Sequence, residues 1–195
     1  ASCGKHDDAI ACFRKAIDIA PGRADAWLGT GNSLEELGRY DEALSAYDRA
    51  ISIDPLRADA YNNRGRCLHG LRRLDEAIAS FDSAIELDPE YHPAWNNKGV
   101  ILTSVSRLDE AAESFRTALR IAPRNASTYR NLADCLTAAG ANAEALAVYD
   151  KAIELDGGQI DAHVHRGNLM HEAGKVKEAI ACYDAAIAID PTCAM

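Results

Sequence analysis

Long apolar runs are missing from the sequence, because charged residues make up 26% of the 195 residues and interrupt every hydrophobic stretch. A transmembrane helix needs about 20 consecutive apolar residues, so we expect no membrane span. The first residues, ASCGKHDDAI, contain no basic segment followed by an apolar core, so we expect no secretory signal in them. Six cysteines in a chain of this length do not suggest a disulfide scaffold. We therefore expect free thiols and a cytoplasmic location.

Positive charge is also scarce. Lys and Arg together number 21 against 30 Asp and Glu, which gives a formal net charge of -9 at pH 7. Proteins that bind nucleic acid or anionic lipid present an excess of Lys and Arg to the phosphates. The composition therefore argues against nucleic acid and membrane surfaces as partners and favours a basic or mixed-charge protein.

Patterns typical of catalysis or metal binding are absent from the sequence. It has no Gly-rich phosphate loop, no Ser nucleophile elbow and no close Cys/His pair. His163, His165 and His171 are spaced by two and six residues, which does not place two imidazoles on adjacent turns of a helix, as a shared metal ion requires. We predict that the chain is not an enzyme and needs no metal or cofactor.

The dominant positive feature is a 34-residue repeat. Five of the six prolines are spaced by 34 residues or a multiple of it, and Gly157 occupies the one missing slot: Pro21, Pro55, Pro89, Pro123 and Pro191. This register divides the single array 1–195 into a half repeat and five full repeats: 1–23, 24–57, 58–91, 92–125, 126–159 and 160–193.

Each repeat has the same order of large and small residues. The fourth position is large and the eighth small: Trp27, Tyr61, Trp95, Tyr129 and His163 against Gly31, Gly65, Gly99, Ala133 and Gly167. In the second half, Ala, an aromatic residue and Ala follow at spacings of four and three, as in Ala43, Tyr47 and Ala50. These spacings place side chains on one face of a helix. The breaks between the halves are so short that the two helices must form an antiparallel hairpin.

The helix ends are also marked in the sequence. We predict second helices over 41–54, 75–88, 109–121, 143–155 and 176–189. Asp41, Asp75 and Asp109 lie where an N-cap carboxylate can accept backbone N–H groups. The Asp-Pro pairs at 54–55, 88–89 and 190–191 should end these helices, because the residue before proline is forced out of helical geometry.

The period and the order of residue types resemble the tetratricopeptide repeat family over nearly the whole chain. The resemblance implies an all-α fold, a right-handed α–α superhelix of antiparallel helical hairpins. It also implies a protein–protein interaction scaffold whose first helices line a concave groove.

In the family, ligand contacts lie at the second, fifth, sixth, ninth, twelfth and thirteenth positions of each repeat. Carried onto this sequence, these positions give a candidate peptide-binding groove: Asn32, Asn62, Asn63, Arg66, Asn96, Asn97, Arg130, Asn131, Asp134, His165 and Asn168. The sixth position gives the row Asn63, Asn97 and Asn131, whose amides can donate to and accept from a peptide backbone. Asn is equally explained as a soluble residue at these positions.

The charges beside the row predict the chemistry of the partner. The flanking residues make the predicted groove acidic at its ends and mixed in the middle: Arg66, Arg130, Asp25, Asp59, Asp161 and Glu35. A partner with basic residues near the ends of its bound segment is therefore favoured.

Repeat 4 departs from the pattern, because Ala133 replaces Gly and Gly157-Gly158 replaces the proline. The junction between repeats 4 and 5 should be the softest, either as a functional hinge or as a drift without consequence. Paired cysteines in distant repeats are interpreted as small buried thiols: Cys67 with Cys135, and Cys12 with Cys182.

Both ends of the array should expose apolar side chains. The half repeat has no first helix to cover Ile10, Phe13 and Ile17, and the final helix carries Ile180, Tyr183 and Ile187. Exposed faces of this kind favour homo-oligomers. Two alternatives therefore remain beside the peptide-binding scaffold: a structural or self-assembling spacer that binds through its ends, and a targeting arm of a larger protein.

Overall fold

The computed structural model describes residues 3–194, which form eleven α-helices and one short 3₁₀ helix and contain no β-strand. The helices are α1 Cys3–Ile19, α2 Ala24–Glu36, α3 Tyr40–Ile53, α4 Ala58–Gly70, α5 Leu74–Leu87, α6 His92–Ser104, α7 Leu108–Ile121, α8 Ala126–Ala138, α9 Asn142–Leu155, α10 Ile160–Glu172 and α11 Val176–Ile189, followed by the 3₁₀ helix Pro191–Ala194. The predicted all-α fold of repeated helical hairpins is confirmed.

The bounds of the helices repeat every 34 residues. The first helices of the five full repeats are α2, α4, α6, α8 and α10, each of 13 residues. The second helices are α3, α5, α7, α9 and α11, each of 14 residues. Every second helix was predicted to within one residue at each end.

The chain consists of two compact units, which divide within α6: unit 1 ends at Ile101 and unit 2 begins at Leu102. In unit 1, α2 packs against α3 and α4 packs against α5. The contact of α3 with α4 joins these two hairpins. In unit 2, α8 packs against α9 and α10 packs against α11. The preceding helix α7 also packs against α8. The contact of α9 with α10 is less extensive than that of α7 with α8, as expected for a soft junction between repeats 4 and 5.

The core is built on the aromatic residue of each second helix. Tyr47 and Phe81 are at most 1% exposed. Their rings lie against the eighth-position glycines of the same repeats, and a Cβ built on Gly31 or Gly65 would come within 2.5 or 2.6 Å of ring carbons. The small residue at the eighth position is therefore required by the aromatic residue of the second helix and not by the fourth-position side chain.

The fourth-position side chain forms a hydrogen bond to the loop that precedes its helix in three repeats. Trp27 donates its indole N–H to the carbonyl of Pro21 at 3.1 Å, and Trp95 donates to Pro89 at 3.0 Å. In repeat 5, His163 Nε2 lies 3.1 Å from the carbonyl of Gly157. These bonds tie α2, α6 and α10 to the loops that precede them. His163 makes the same contact as the tryptophans, as expected of a substitute in the aromatic slot.

The prediction that Asp41, Asp75 and Asp109 are N-caps is wrong. These carboxylates lie in the first turns of α3, α5 and α7, where they meet the positive end of the helix dipole. The N-cap positions are held by arginines that make no side-chain capping bond: Arg39, Arg73 and Arg107. Each arginine instead pairs with the glutamate three residues later, as Arg39 does with Glu42 at 2.6 and 2.7 Å.

Each hairpin turn contains one residue with positive φ, two residues before the second helix. The five residues have φ between 60° and 76°: Gly38, Arg72, Ser106, Gly140 and Gly174. Around Ser106, the amide of Ser106 donates to Thr103 O at 3.0 Å and the amide of Arg107 donates to Leu102 O at 2.9 Å. This is the Schellman arrangement that ends a helix. Because a Cβ opposes positive φ, Arg72 and Ser106 are strained where the other turns use glycine.

Four of the five second helices end at an aspartate in extended conformation, as the Asp-Pro pairs predict for Asp54, Asp88 and Asp190, whereas the C-cap of α7 is Ala122. Each carboxylate also accepts the amide two residues later, at 2.8 to 3.2 Å. In repeat 4, Asp156 accepts the amide of Gly158 at 3.0 Å, and α9 ends at Leu155 without a proline. The aspartate turn is thus sufficient to stop the helix.

Two expectations about the ends need correction. Cys67, Cys135 and Cys182 are buried free thiols as expected, but Cys12 is exposed on α1. Ile10 is 4% exposed and belongs to the core around Tyr47, so the N-terminal end is partly covered by α2. At the other end, Ile180 and Ile187 are 53% and 37% exposed, as predicted.

Phe81→Ala should lower the free energy of unfolding by about 3–5 kcal/mol, because it removes a ring that is 1% exposed and leaves a cavity beside Gly65. Glu144→Ala removes only a half-exposed ion pair with Arg116 and should change the stability by less than about 1 kcal/mol. Urea unfolding followed by circular dichroism measures both. Equal effects would contradict the repeat register.

Ser106→Gly should raise the free energy of unfolding by up to about 1 kcal/mol, because glycine relieves the positive φ of this turn. The matched control is Gly140→Ala, which introduces the same strain into the equivalent turn and should destabilise by about 1 kcal/mol. If both substitutions act in the same direction in urea unfolding, backbone strain does not determine the stability of these turns.

Candidate functional site

In unit 1, five asparagines of the predicted groove form one hydrogen-bonded chain along the first helices α2, α4 and α6. The donors and acceptors are Asn96 Nδ2 to Asn97 Oδ1 at 3.4 Å, Asn97 Nδ2 to Asn62 Oδ1 at 2.9 Å, Asn62 Nδ2 to Asn63 Oδ1 at 3.1 Å and Asn63 Nδ2 to Asn32 Oδ1 at 3.0 Å. We call these five residues the asparagine chain. They join three successive repeats through side-chain amides.

The asparagine chain is anchored to the core by a tyrosine. The hydroxyl of Tyr47 lies 2.8 Å from Asn32 Oδ1 and 2.9 Å from Glu35 Oε2, so its one proton is shared between two acceptors. Arg66 Nη2 lies 2.9 Å from Glu35 Oε1. The Glu35 side chain is 10% exposed, and its burial raises the pKa of this carboxyl even though Arg66 and Tyr47 act in the opposite direction.

Burial divides the asparagine chain into supporting and accessible residues. Asn62 is 4% exposed and is held by Asn63 and Asn97, so its role is to orient its neighbours. Asn63 and Asn97 are half-buried, and Asn32 is exposed. An amide nitrogen carries two hydrogens, and the chain uses one of those on Asn63 and one on Asn97. Sequence reasoning treated each asparagine separately and therefore missed the pairing of the fifth and sixth positions.

In unit 2, the corresponding face carries an acid–imidazole cluster. Tyr149 donates its hydroxyl to Asp134 Oδ1 at 2.5 Å, and His165 Nδ1 lies 2.7 Å from the same oxygen. The Tyr149 and His165 rings meet edge to face, with centroids 6.2 Å apart. The hydrogen bond from Asp134 raises the pKa of His165 above its ordinary value. Burial opposes ionisation of Asp134, but the bonds from His165 and Tyr149 outweigh it and lower the pKa of the carboxyl.

A cavity of about 500 Å³ lies between α8 and α10, over the Tyr149 side chain of α9. Three of the residues predicted for the groove line it, together with five that were not: Asp134, His165 and Asn168, with Thr137, Ala138, Tyr149, Leu169 and Glu172. We call it the repeat 4–5 cavity. Glu172 and Thr137 occupy the thirteenth and twelfth positions of their repeats, so the family pattern was sufficient to find them. Tyr149 was assigned to the core, and no sequence signal shows that its hydroxyl reaches the groove.

The flanking charges pair with one another. Arg130 donates to Asp161 Oδ2 at 2.8 Å and to Asn131 Oδ1 at 3.2 Å, which ties α8 to α10. In unit 1, Arg57 forms ion pairs with both Asp25 and Asp59. The ends of the predicted groove are therefore less acidic than the sequence indicates, because each of these carboxylates lies against a guanidinium.

Within residues 3–194, no group of three or more His, Cys, Asp or Glu side chains is placed to hold a metal ion. In the same range, every helix is too short or too polar to cross a membrane.

Residues 1–188 match the family model of the Cilia and flagella-associated protein 70 C-terminal domain. No curated protein sequence matches the chain. Among solved structures, PilW, a type IV pilus biogenesis factor, is 26% identical with a TM-score of 0.87 over 95% of this chain and 86% of that chain. YrrB, a TPR protein with an unusual peptide-binding site, is 24% identical with a TM-score of 0.70 over 92% of both chains. PilF of Pseudomonas aeruginosa is 23% identical with a TM-score of 0.83 over 96% and 86%.

The His165–Asp134 contact should make stability depend on pH. Because the folded pKa of His165 is raised, its stabilisation is complete below the unfolded pKa and is lost as pH rises through the folded pKa. Because the pKa of Asp134 is lowered, its contribution is lost as pH falls through the folded value of that carboxyl. In urea unfolding between about pH 5 and pH 8, the stability difference between the protein and its Asp134→Asn variant should decrease with rising pH. The difference is used because burial lowers the pKa of His69, which gives the opposite dependence.

The control for this dependence is Asp134→Asn, which keeps the shape of the side chain and removes its charge. In this variant the pKa of His165, followed by NMR, should fall towards its ordinary value, although Asp161 and Arg130 also act on the ring. An unchanged His165 titration in the variant would rule out Asp134 as the cause of the shift.

Proposed function

The chain belongs to the family of the Cilia and flagella-associated protein 70 C-terminal domain, a tetratricopeptide repeat domain, and we propose that it is a protein-interaction scaffold that binds a peptide segment on its first helices. Proteins of this repeat fold act in general as scaffolds and not as catalysts. The observation that carries the proposal is the repeat 4–5 cavity, because Asp134, His165 and Asn168 converge on it from two first helices.

The repeat 4–5 cavity has the size and the chemistry of a side-chain pocket. Its volume of about 500 Å³ lies within the roughly 300–1,000 Å³ typical of ligand pockets. Leu169 and Ala138 give it apolar walls, and Glu172 adds an exposed carboxylate at the rim. Within residues 3–194, Glu172 forms no ion pair, so a Lys or Arg side chain of the partner fits the rim.

The asparagine chain supports peptide backbone binding in unit 1. The half-buried amides of Asn63 and Asn97 are held in fixed orientations by their neighbours, so little side-chain entropy is lost when a ligand binds. Such amides contact backbone groups without distinguishing side chains. YrrB, of the same fold, carries a peptide-binding site, which is consistent with this use of the face.

A second candidate function is association through the C-terminal end. It is favoured by one observation, the exposure of Ile180 at 53% and of Ile187 at 37% on α11. Leu44 and Ile78 occupy the position of Ile180 in earlier repeats and are 9% exposed. In this function the chain is a spacer, and the first-helix face remains unused.

Peptide selection from a random displayed library, followed by calorimetry, tests the proposal. Selected peptides should contain a basic residue. Glu172→Gln should lower their affinity about 3- to 10-fold, because it removes an exposed charge partner. For peptides that bind the asparagine chain of unit 1, Asn63→Ala with Asn97→Ala should weaken binding by about 0.5–1.5 kcal/mol per lost hydrogen bond. Asn131→Ala completes the triple variant that tests the whole asparagine row.

The matched control is Asn142→Ala, an exposed asparagine at the start of α9 outside this face. It should leave affinity unchanged. Because Asn62 loses partners in the asparagine variants, their melting temperatures must be measured beside their affinities. Peptides that bind every variant equally well, with intact folding, would exclude the first-helix face and favour the C-terminal end.

A further inference from the structure

A cationic side chain of a first helix lies in the groove between two successive second helices and connects them. Arg64, at the seventh position of its repeat, donates to Asp48 Oδ1 at 2.7 Å and to Ser80 Oγ at 2.6 Å. It lies on α4 and so joins α3 to α5. The Arg64 side chain is 27% exposed, which means that most of it fills the groove. We call this arrangement the seventh-position bridge.

The bridge recurs along the chain. In unit 1, Lys98 Nζ lies 2.6 Å from Asp82 Oδ1. In unit 2, Arg166 donates to Asp150 Oδ1 at 2.6 Å and lies 2.8 Å from the sulfur of Cys182. In repeat 4 the seventh position is Leu132, which is 4% exposed and fills the space with an apolar side chain.

The groove of α1, α2 and α3 lacks the bridge at each of its three positions. Thr30 takes the place of Arg64, Arg14 takes the place of Asp48, and Ala46 takes the place of Ser80. The short Thr30 side chain turns inward to its own helix and donates to Ala26 O at 2.8 Å. What remains is a cavity of about 470 Å³, against about 280 Å³ in the equivalent groove that holds Arg166. We call it the Thr30 cavity.

The Thr30 cavity has an apolar floor and a cationic rim. Ile17, Trp27 and Leu34 line its interior, and Arg14 and Arg49 lie at its edge. The guanidinium carbon of Arg49 is 5.7 Å from the centroid of the Trp27 ring, a distance at which cation and ring attract each other. Within residues 3–194 neither arginine forms an ion pair.

Two carboxylates also line the Thr30 cavity, and they bear on the sign of its charge. Glu42 forms a two-pronged pair with Arg39, which lowers the pKa of this carboxyl, and the charge of Arg14 acts on it in the same direction. Asp18 is exposed and balances one of the two rim arginines. A cation therefore remains where the three bridged grooves carry Asp48, Asp82 or Asp150, so the charge preference of this groove is opposite to theirs.

We propose that the Thr30 cavity is a binding site for a carboxylate carried on an apolar stem. The stem replaces the missing seventh-position side chain over Trp27 and Leu34, and the carboxylate pairs with Arg14 in place of the cation–aspartate pair of the three bridged grooves. Both a small aryl- or alkyl-carboxylic acid and the Glu side chain of a peptide have this chemistry. The site lies between second helices and is separate from the asparagine chain on the first helices.

NMR titration with matched probes tests the site. The probes are 4-phenylbutyrate, its uncharged analogue 4-phenylbutyramide, and the blocked tripeptide acetyl-Leu-Glu-Leu-amide. The acid should shift the indole N–H signal of Trp27 and leave that of Trp95 in place, with a dissociation constant on the order of 1 mM. The amide should bind roughly 5- to 10-fold more weakly, and the tighter of the two carboxylate probes identifies the source of the group.

Variants separate the site from general surface attraction. Arg14→Gln should weaken the binding of 4-phenylbutyrate by about the factor that separates the acid from the amide. Lys15→Gln, on the same helix and outside the cavity, should leave this binding unchanged. Arg14→Asp combined with Thr30→Arg rebuilds the bridge and should abolish binding. Thr30→Leu, which copies Leu132, fills the cavity without a charge and serves if the double variant does not fold. Equal binding of acid and amide, or full binding by the filled variants, would overturn the proposal.

Discussion

The packing of the aromatic ring of the second helix on the small eighth-position residue of the first helix, which is glycine except at Ala133, is the contact on which the rest of the structure depends. The ring of Tyr47 or Phe81 approaches its glycine so closely that no Cβ fits between them. This close approach fixes how the second helix sits on the first in each hairpin. Because the contact recurs every 34 residues, residues at equal positions of successive first helices are brought onto one face. The asparagine chain depends on this register, because it places Asn63 within hydrogen-bonding distance of Asn32, and Asn97 within hydrogen-bonding distance of Asn62.

The same aromatic position also controls the chemistry of the first-helix face. Where the residue is tyrosine, its hydroxyl reaches the ninth position of its own repeat, and that position holds a side-chain acceptor: Asn32 with Tyr47, Asp134 with Tyr149, and Asn168 with Tyr183. Where the residue is Phe81 or Phe115, the ninth position holds Arg66 or Val100. A buried hydroxyl must be hydrogen-bonded, so the choice of tyrosine in the core requires an acceptor on the face.

The fold was predictable because each element is encoded locally, by spacing, by the Asp turn and by the positive-φ residue. The candidate site was less predictable, because its properties depend on pairs from different repeats. Asp134 was expected as a groove residue, but its contact with His165 depends on the separation of α8 and α10, which periodicity does not give. The N-cap error has a local origin: Asp41 suits an N-cap by residue type, but the helix begins one residue earlier than predicted, and Arg39 holds the cap position and pairs with Glu42.

The two described cavities arise where a repeat departs from the pattern and the space is not refilled. At the seventh position, substitution of Arg by Leu in repeat 4 leaves the groove filled, while substitution by Thr in the first full repeat leaves it open. At the junction of repeats 4 and 5, α9 and α10 make a less extensive contact, and the repeat 4–5 cavity lies beside it. Regular positions hold the array together, and unfilled departures give it surfaces that differ from repeat to repeat. Since a ligand gains most from space and unpaired charge that already exist, these two places are where recognition requires the least rearrangement of the scaffold.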